Sequence, residues 1–202
     1  MDDNDAIFKE LDDFIEIEIT DDERNKLQEK YSKLNTNDTF ASDRVICNIN
    51  FNDVINYQTI EANNAIKEYI RSGCEINEVL RGQCSKDISK IVKALLTELK
   101  PINKHNKKEY FEVYRAISNK YIDVSQGFIS TSNILLKQFG IYYIKIYVPL
   151  NLPILVGNIT NMLSNISEYK NKTIYEILLP PMTPLKYIDS THGIDNYIVI
   201  KV

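Results

Sequence analysis

The chain has 202 residues and a formal net charge of −4, with 44% hydrophobic residues, 26% charged residues and only six glycines. That length supports one well-cored domain with an appendage, and the composition excludes collagen-like and wholly disordered chains. No apolar run approaches the roughly 20 residues that span a bilayer, and no basic stripe marks a nucleic-acid binder.

Charge is unevenly spread. Residues 1–30 carry twelve acids against four bases, a net −8, which leaves +4 for the rest of the chain. A mildly positive body suits an anionic ligand. The acidic start is unlike a secretory or organellar leader, so a cytoplasmic protein is expected, in a host cytosol if it is an effector. Three cysteines, Cys47, Cys74 and Cys84, form no CxxC pair, which suits a reducing compartment.

In chain order, Ile7, Leu11, Phe14 and Ile15 share one helical face. Thr20 and Glu23 then form a capping box ahead of Leu27, Tyr31 and Leu34. Residues 1–40 therefore read as an acidic helical arm, and "NTNDTFASD" as a linker. Helical patterns continue through "VINYQTIEANNAIKEYI", "EINEVLRG" and "DISKIVKALLTELK", which Pro101 ends. After residue 110 the pattern becomes that of strands. "YFEVYRAI" is β-rich, and Ile144, Ile146 and Val148 alternate with Tyr143, Lys145 and Tyr147. "TIYEILLP" and "NYIVIKV" behave alike, separated by "PPMTPLKY". Helices followed by strands indicate an α+β fold.

The chain has no Walker loop, GxGxxG, HExxH or GxSxG. Its two histidines, His105 and His192, sit in turn-like polar contexts, so no metal site is expected.

Four fragments could carry chemistry. Asn77 and Arg81 are four apart, hence on one helical face. Arg115 stands near the end of a short apolar strand and must pair or reach a cleft, since burying an unpaired guanidinium is costly. Ser130 and Ser132 share one strand face, with Thr131 on the other. Glu176 lies on a strand face with Ile174 and Leu178, opposite Tyr175, Ile177 and Leu179, where a carboxylate must be used or paired. Each fragment alone is equally consistent with a structural role: a solvated helix face, an ion pair or an ordinary edge strand.

Their order and local grammar together resemble the mono-ADP-ribosyltransferases of the Arg/Ser-Thr-Ser/Glu class, which include clostridial exoenzymes and the enzymatic components of binary toxins. Ile76-Asn77-Glu78-Val79-Leu80-Arg81 matches that family's I-N-x-x-L-R, and Val113-Tyr114-Arg115 its strand arginine. Gly127 to Ser132 matches G-F-x-S-T-S, and Tyr175 to Pro180 the x-E-[VI]-L-L-P strand. The resemblance runs from about Tyr57 to Val202.

It implies a split β-sandwich of two perpendicular sheets with a helical N-terminal half. The implied catalytic domain is 41–202, with NAD as co-substrate, no metal, and a host or cellular protein as ADP-ribose acceptor to a monomeric enzyme. By the resemblance, Arg115 grips the pyrophosphate, Arg81 adds a phosphate contact, and Asn77 meets the adenosine side. Glu176 stabilises the oxocarbenium-like state with Ser130 holding it in register; Ala116, Thr131, Ser132 and Phe139 complete the cofactor cleft.

Three departures stand out. Position 174 is Ile174 where the family has Glu or Gln facing the acceptor, so an arginine acceptor is not expected. Tyr169 lies seven before Glu176 rather than five, which remodels the substrate-recognition loop carrying Tyr169, Ile174 and Tyr175. After Ser132 the family's loop is shortened, leaving Phe139 without its following arginine, a role open to Lys137. An NAD- or partner-binding pseudoenzyme and an NAD glycohydrolase are the alternatives.

Overall fold

A computed structural model describes residues 45–81, 89–104, 109–118, 127–181 and 183–199, all within the unit Val45–Val202. The expected acidic arm, Cys84 and His105 lie outside the described residues.

The helical stretch is cut where the sequence supplies a cap. Helix α1 is Phe51–Tyr57, and Gln58 turns extended. Thr59 then caps α2, Ile60–Leu80, accepting from the Ala62 N–H at 3.0 Å. The Thr59 hydroxyl also donates to Glu98 at 2.6 Å, tying the start of α2 to the end of α3, Ser89–Glu98. The sequence patterns "IEANNAIKEYI" and "EINEVL" fuse into this one helix, with Gly73 inside it. Its buried stripe, Ala62, Ala65, Ile66, Tyr69, Ile76, Asn77 and Leu80, follows helical spacing.

Among the described residues there are nine strands, the first ahead of α1 and the others after α3. They are β1 (Val45–Ile46), β2 (Lys100–Pro101), β3 (Glu109–Ile117), β4 (Ile129–Ser132), β5 (Tyr142–Pro149), β6 (Pro153–Asn158), β7 (Tyr175–Leu179), β8 (Leu185–Thr191) and β9 (Ile194–Val199). A one-turn helix, α4, spans Thr160–Leu163. The strand order is β2-β6-β7-β4-β3-β5-β9-β8, with β1 also pairing β3. Strands β3 and β5 pair from Tyr110↔Pro149 to Ile117↔Tyr142, whereas β3 meets β4 only at Tyr114↔Ser132. Where two sheets are expected, the strands form one hydrogen-bonded path, with β3 and β4 linked through that single pair. The β8–β9 hairpin turns at His192 and Gly193, both with positive φ (53° and 76°), as a two-residue hairpin of this hand requires.

The main core is shared by both sides of the junction. Phe111 and Val113 of β3 and Ile144, Ile146 and Val148 of β5 pack with Val156 of β6 and Tyr175, Ile177 and Leu179 of β7. Phe51 spans the two sides, its ring 5.9 Å from Phe111 and 5.5 Å from Tyr175. A second apolar cluster gathers Leu136, Ile159, Leu163, Tyr169 and Ile174. Helix α2 approaches β6 closely at Gly157, where a Cβ would stand 2.9 Å from Ile66 and Ile70.

Candidate active site

The alternation of β7 decides the site. Tyr175, Ile177 and Leu179 enter the main core, which turns Glu176 to the opposite face. Strand β4 lies beside it in antiparallel register, Ser132 opposite Glu176. Ser130 Oγ donates to Glu176 Oε1 at 2.5 Å, while Thr131 donates to the Ile177 carbonyl at 2.6 Å and Ser132 to that of Ile134 at 2.6 Å. Two of the three hydroxyls therefore hold backbone, and only Ser130 addresses the carboxylate.

Next to this pair, across the narrow β3–β4 junction, stands Arg115. Among the described residues it makes no hydrogen bond or ion pair. Burial lowers the pKa of its guanidinium, with Tyr69, Arg81 and Glu176 as its charged or ionisable neighbours. Arginine nevertheless stays charged in proteins. Burial pushes the Glu176 carboxyl up from its ordinary value, against smaller opposing effects of the Ser130 bond and the Arg115 charge.

These groups line one cavity of about 470 Å³ between α2, β3, β4, β7 and the segments after β4 and β6. Of the residues singled out in the sequence, Asn77, Arg115, Ala116, Ser130, Thr131, Ser132, Phe139 and Glu176 border it. Arg81 does not. It caps the end of α2, its N–H bonded to the Asn77 carbonyl, and its exposed side chain reaches Arg115 and Tyr69 only electrostatically.

The recognition-loop residues are placed otherwise than expected. Ile174 is 0% and Tyr169 2% exposed, both inside the second apolar cluster. Tyr175 packs in the main core. Ile174, expected to face an incoming nucleophile, is enclosed in the second apolar cluster. Tyr169 is turned inward because its phenol finds partners there, donating to Gln138 Oε1 at 2.5 Å and accepting from the Lys137 N–H at 3.1 Å. The 160–174 segment is thereby fastened to the segment after β4. Asn133 adds to this, accepting from the Tyr175 N–H at 2.8 Å and donating to the Thr173 carbonyl at 3.1 Å.

Sequence reasoning missed Tyr69, Gly73 and Cys74 of α2 and the apolar wall of Leu136, Ile159, Met162 and Leu163. Tyr69 carried a signal: it lies on the same stripe as Asn77, eight residues earlier. The Asn77 amide donates to the Tyr69 hydroxyl at 2.9 Å and to the Phe128 carbonyl at 3.2 Å, binding α2 to the entrance of β4. Gly127 is required there, since a Cβ would come 2.5 Å from Asn77 Oδ1.

No family model and no curated protein matches the sequence. Solved structures do. C3larvin toxin, an ADP-ribosyltransferase from Paenibacillus larvae, aligns with a TM-score of 0.50 at 19% identity, over 75% of this chain and 92% of that one. The Clostridium limosum C3 exoenzyme aligns at 0.49 and 16%, over 80% and 98%. An ADP-ribosyltransferase from Clostridium botulinum aligns at 0.47 and 20%, over 71% and 88%. The likeness to C3larvin shows the fold: a mixed α and β chain with the architecture of an ADP-ribosyltransferase toxin. Among the described residues no helix is long and apolar enough to cross a membrane, and no three His, Cys, Asp or Glu side chains cluster as metal ligands.

Proposed function

We propose that the chain is an NAD-dependent mono-ADP-ribosyltransferase of the Arg/Ser-Thr-Ser/Glu class that modifies a protein side chain in a host cytosol. The observation that carries this reading is the convergence, in one cavity, of an unpaired guanidinium and a serine-held carboxylate. A largely buried cation without a partner is costly, and a pyrophosphate offers it two oxygens in the geometry of its fork. The cavity volume lies within the range of small-molecule sites, roughly 300–1,000 Å³. In the same reading the two sides of the narrow β3–β4 junction are the halves of a split sandwich, with the dinucleotide between them.

In this mechanism Arg115 binds the pyrophosphate and Asn77, with Arg81 nearby, the adenosine end. Phe139 and Ala116 border the nicotinamide side, and Thr131 and Ser132 keep β4 in register. Glu176, ionised and held by Ser130, accepts a hydrogen bond from the ribose hydroxyl and stabilises positive charge as the bond to nicotinamide breaks. The electron pair of that bond leaves with nicotinamide. The acceptor then adds at the anomeric carbon and loses its proton. Among the described residues the cavity lining holds no second carboxylate beside Glu176, and Ile174 is enclosed. An arginine acceptor, which would need a base, is therefore disfavoured.

The same lack of a second carboxylate favours a second reading, hydrolysis of NAD with water as acceptor. One experiment separates them. With labelled NAD and a host-cell lysate, the transferase labels discrete proteins, and Glu176→Gln loses about 10²–10³-fold in rate, the usual effect of removing one preorganised charge-stabilising group. Nicotinamide release without labelling would select hydrolysis. Undiminished labelling by Glu176→Gln would overturn the assignment of Glu176.

A further inference from the structure

Glu176 has two flanks within the cavity. On one stand Ser130 and Arg115, which the mechanism above gives to the dinucleotide. The other is aliphatic. Leu136, Ile159 and Leu163 border the cavity there and close over Ile174, two residues before Glu176 and 0% exposed. The wall is pinned to the start of β7, where the Ile159 N–H donates to the Ile174 carbonyl at 2.9 Å. Polar side chains of this region are already engaged. Thr160 Oγ1 accepts from the Ile174 N–H at 2.9 Å and donates to the Ile174 carbonyl at 3.3 Å. Ser132 donates to the Ile134 carbonyl, Asn133 bridges Thr173 and Tyr175, and the Tyr169 phenol is shared between Gln138 and Lys137. Among the described residues that line it, this flank therefore offers an incoming group dispersion contacts, with neither a base nor an uncommitted polar side chain. Met162, 64% exposed and bordering the same cavity, marks where the flank opens to solvent.

We infer that the group modified is a cysteine thiol of the acceptor protein, entering along this aliphatic flank. This rests on the transferase reading of the cavity. Hydroxyl, guanidinium and ammonium acceptors need a base to free their nucleophile at neutral pH, and a carboxamide brings N–H donors that the wall would leave unpaired. A carboxylate needs no base, but it loses its hydration against aliphatic side chains and beside the negative charge of Glu176. A thiol meets both conditions. It packs as a small hydrophobe with only a weak S–H donor, and it is already a few per cent thiolate at pH 7. In the step, the bond from the anomeric carbon to the nicotinamide nitrogen breaks and its electron pair leaves with neutral nicotinamide. Sulfur supplies the pair for the new C–S bond, and the thiol proton goes to water.

The test is the chemistry of the label. Host-cell lysate is alkylated with N-ethylmaleimide, quenched and desalted, then given the full chain and labelled NAD beside a lysate that was not alkylated. Proteins labelled in the untreated lysate are then exposed to mercuric chloride or to neutral hydroxylamine. A thioglycosidic label should be released by mercuric ion and resist hydroxylamine, and the alkylated lysate should lose its labelling. Label released by hydroxylamine, or surviving mercuric ion, would overturn the inference and leave the transferase reading standing. So would undiminished labelling of the alkylated lysate. Nicotinamide release without any labelled protein would select hydrolysis and overturn the transferase reading together with the inference. A wild type that neither labels proteins nor releases nicotinamide would overturn the reading of the cavity as an NAD site, and the inference with it.

Discussion

Glu176 and Arg115 are expensive residues to keep. Each is turned by its strand toward the cavity, and burial disfavours the charged form of each. For Glu176 the sign is definite. Its folded carboxyl releases its proton above the ordinary value of 4.5, so between that value and the raised one the native state holds a proton that the unfolded chain has lost. Stability contributed by this group therefore declines as pH rises through that window. Glu176→Gln should melt higher than wild type at neutral pH, and the difference should vanish below about pH 4. Activity follows the same titration in the opposite sense. In the proposed mechanism the ionised form stabilises the cation, so nicotinamide release should fall as pH drops, with its acid limb above the ordinary carboxylate range. A rate profile with its midpoint at the ordinary Glu value would contradict this.

At the scale of elements, strand β6 shows how a side chain can stand in for a strand. Its partner β2 is only Lys100–Pro101, which leaves Val156 beyond its reach. Gln58, in the extended link between α1 and α2, supplies both missing bonds. Its Oε1 accepts from the Val156 N–H at 2.8 Å and its Nε2 donates to the Val156 carbonyl at 2.8 Å. Since Val156 is 0% exposed, water cannot replace them. Gln58→Ala should cost about 2–4 kcal/mol by denaturant unfolding, the penalty for two unsatisfied backbone groups. The effect should reach the site, because β6 pairs with β7 at Gly157↔Glu176. Nicotinamide release by the variant should weaken even where it is still folded.

For the whole molecule, the cavity sits where helix α2 and the two sides of the β3–β4 junction meet, so ligand binding and folding are coupled. The protein alone bears the cost of the unpaired Arg115, which an anionic ligand removes. NAD at 100 times its dissociation constant should stabilise the fold by about 2.7 kcal/mol, a rise in melting temperature of roughly 5–10 °C. Arg115→Ala should abolish most of that rise while melting no lower than wild type without ligand. A ligand-independent fall in melting temperature would instead assign Arg115 a structural role.

Which faces the residues occupy was legible in the sequence. Alternation alone put Ile144, Ile146 and Val148 inward, and set Glu176 opposite Tyr175, Ile177 and Leu179. The helical repeat set Asn77 and Arg81 on one face of α2, but only the fold buries Asn77 and leaves Arg81 exposed. Periodicity, however, reports direction and not neighbours. It could not show that Ser130 meets Glu176, 46 residues away, or that Asn77 reaches Phe128 across 51. It is also silent on the enclosure of Tyr169 and Ile174, which depends on Leu136, Ile159 and Leu163 from other segments. Nothing local singles out Tyr69, which the fold brings to the same cavity as Arg115. Local sequence sets the side from which each group faces its element; which groups then share a cavity depends on strand order and register, decided by burial of the whole core at once.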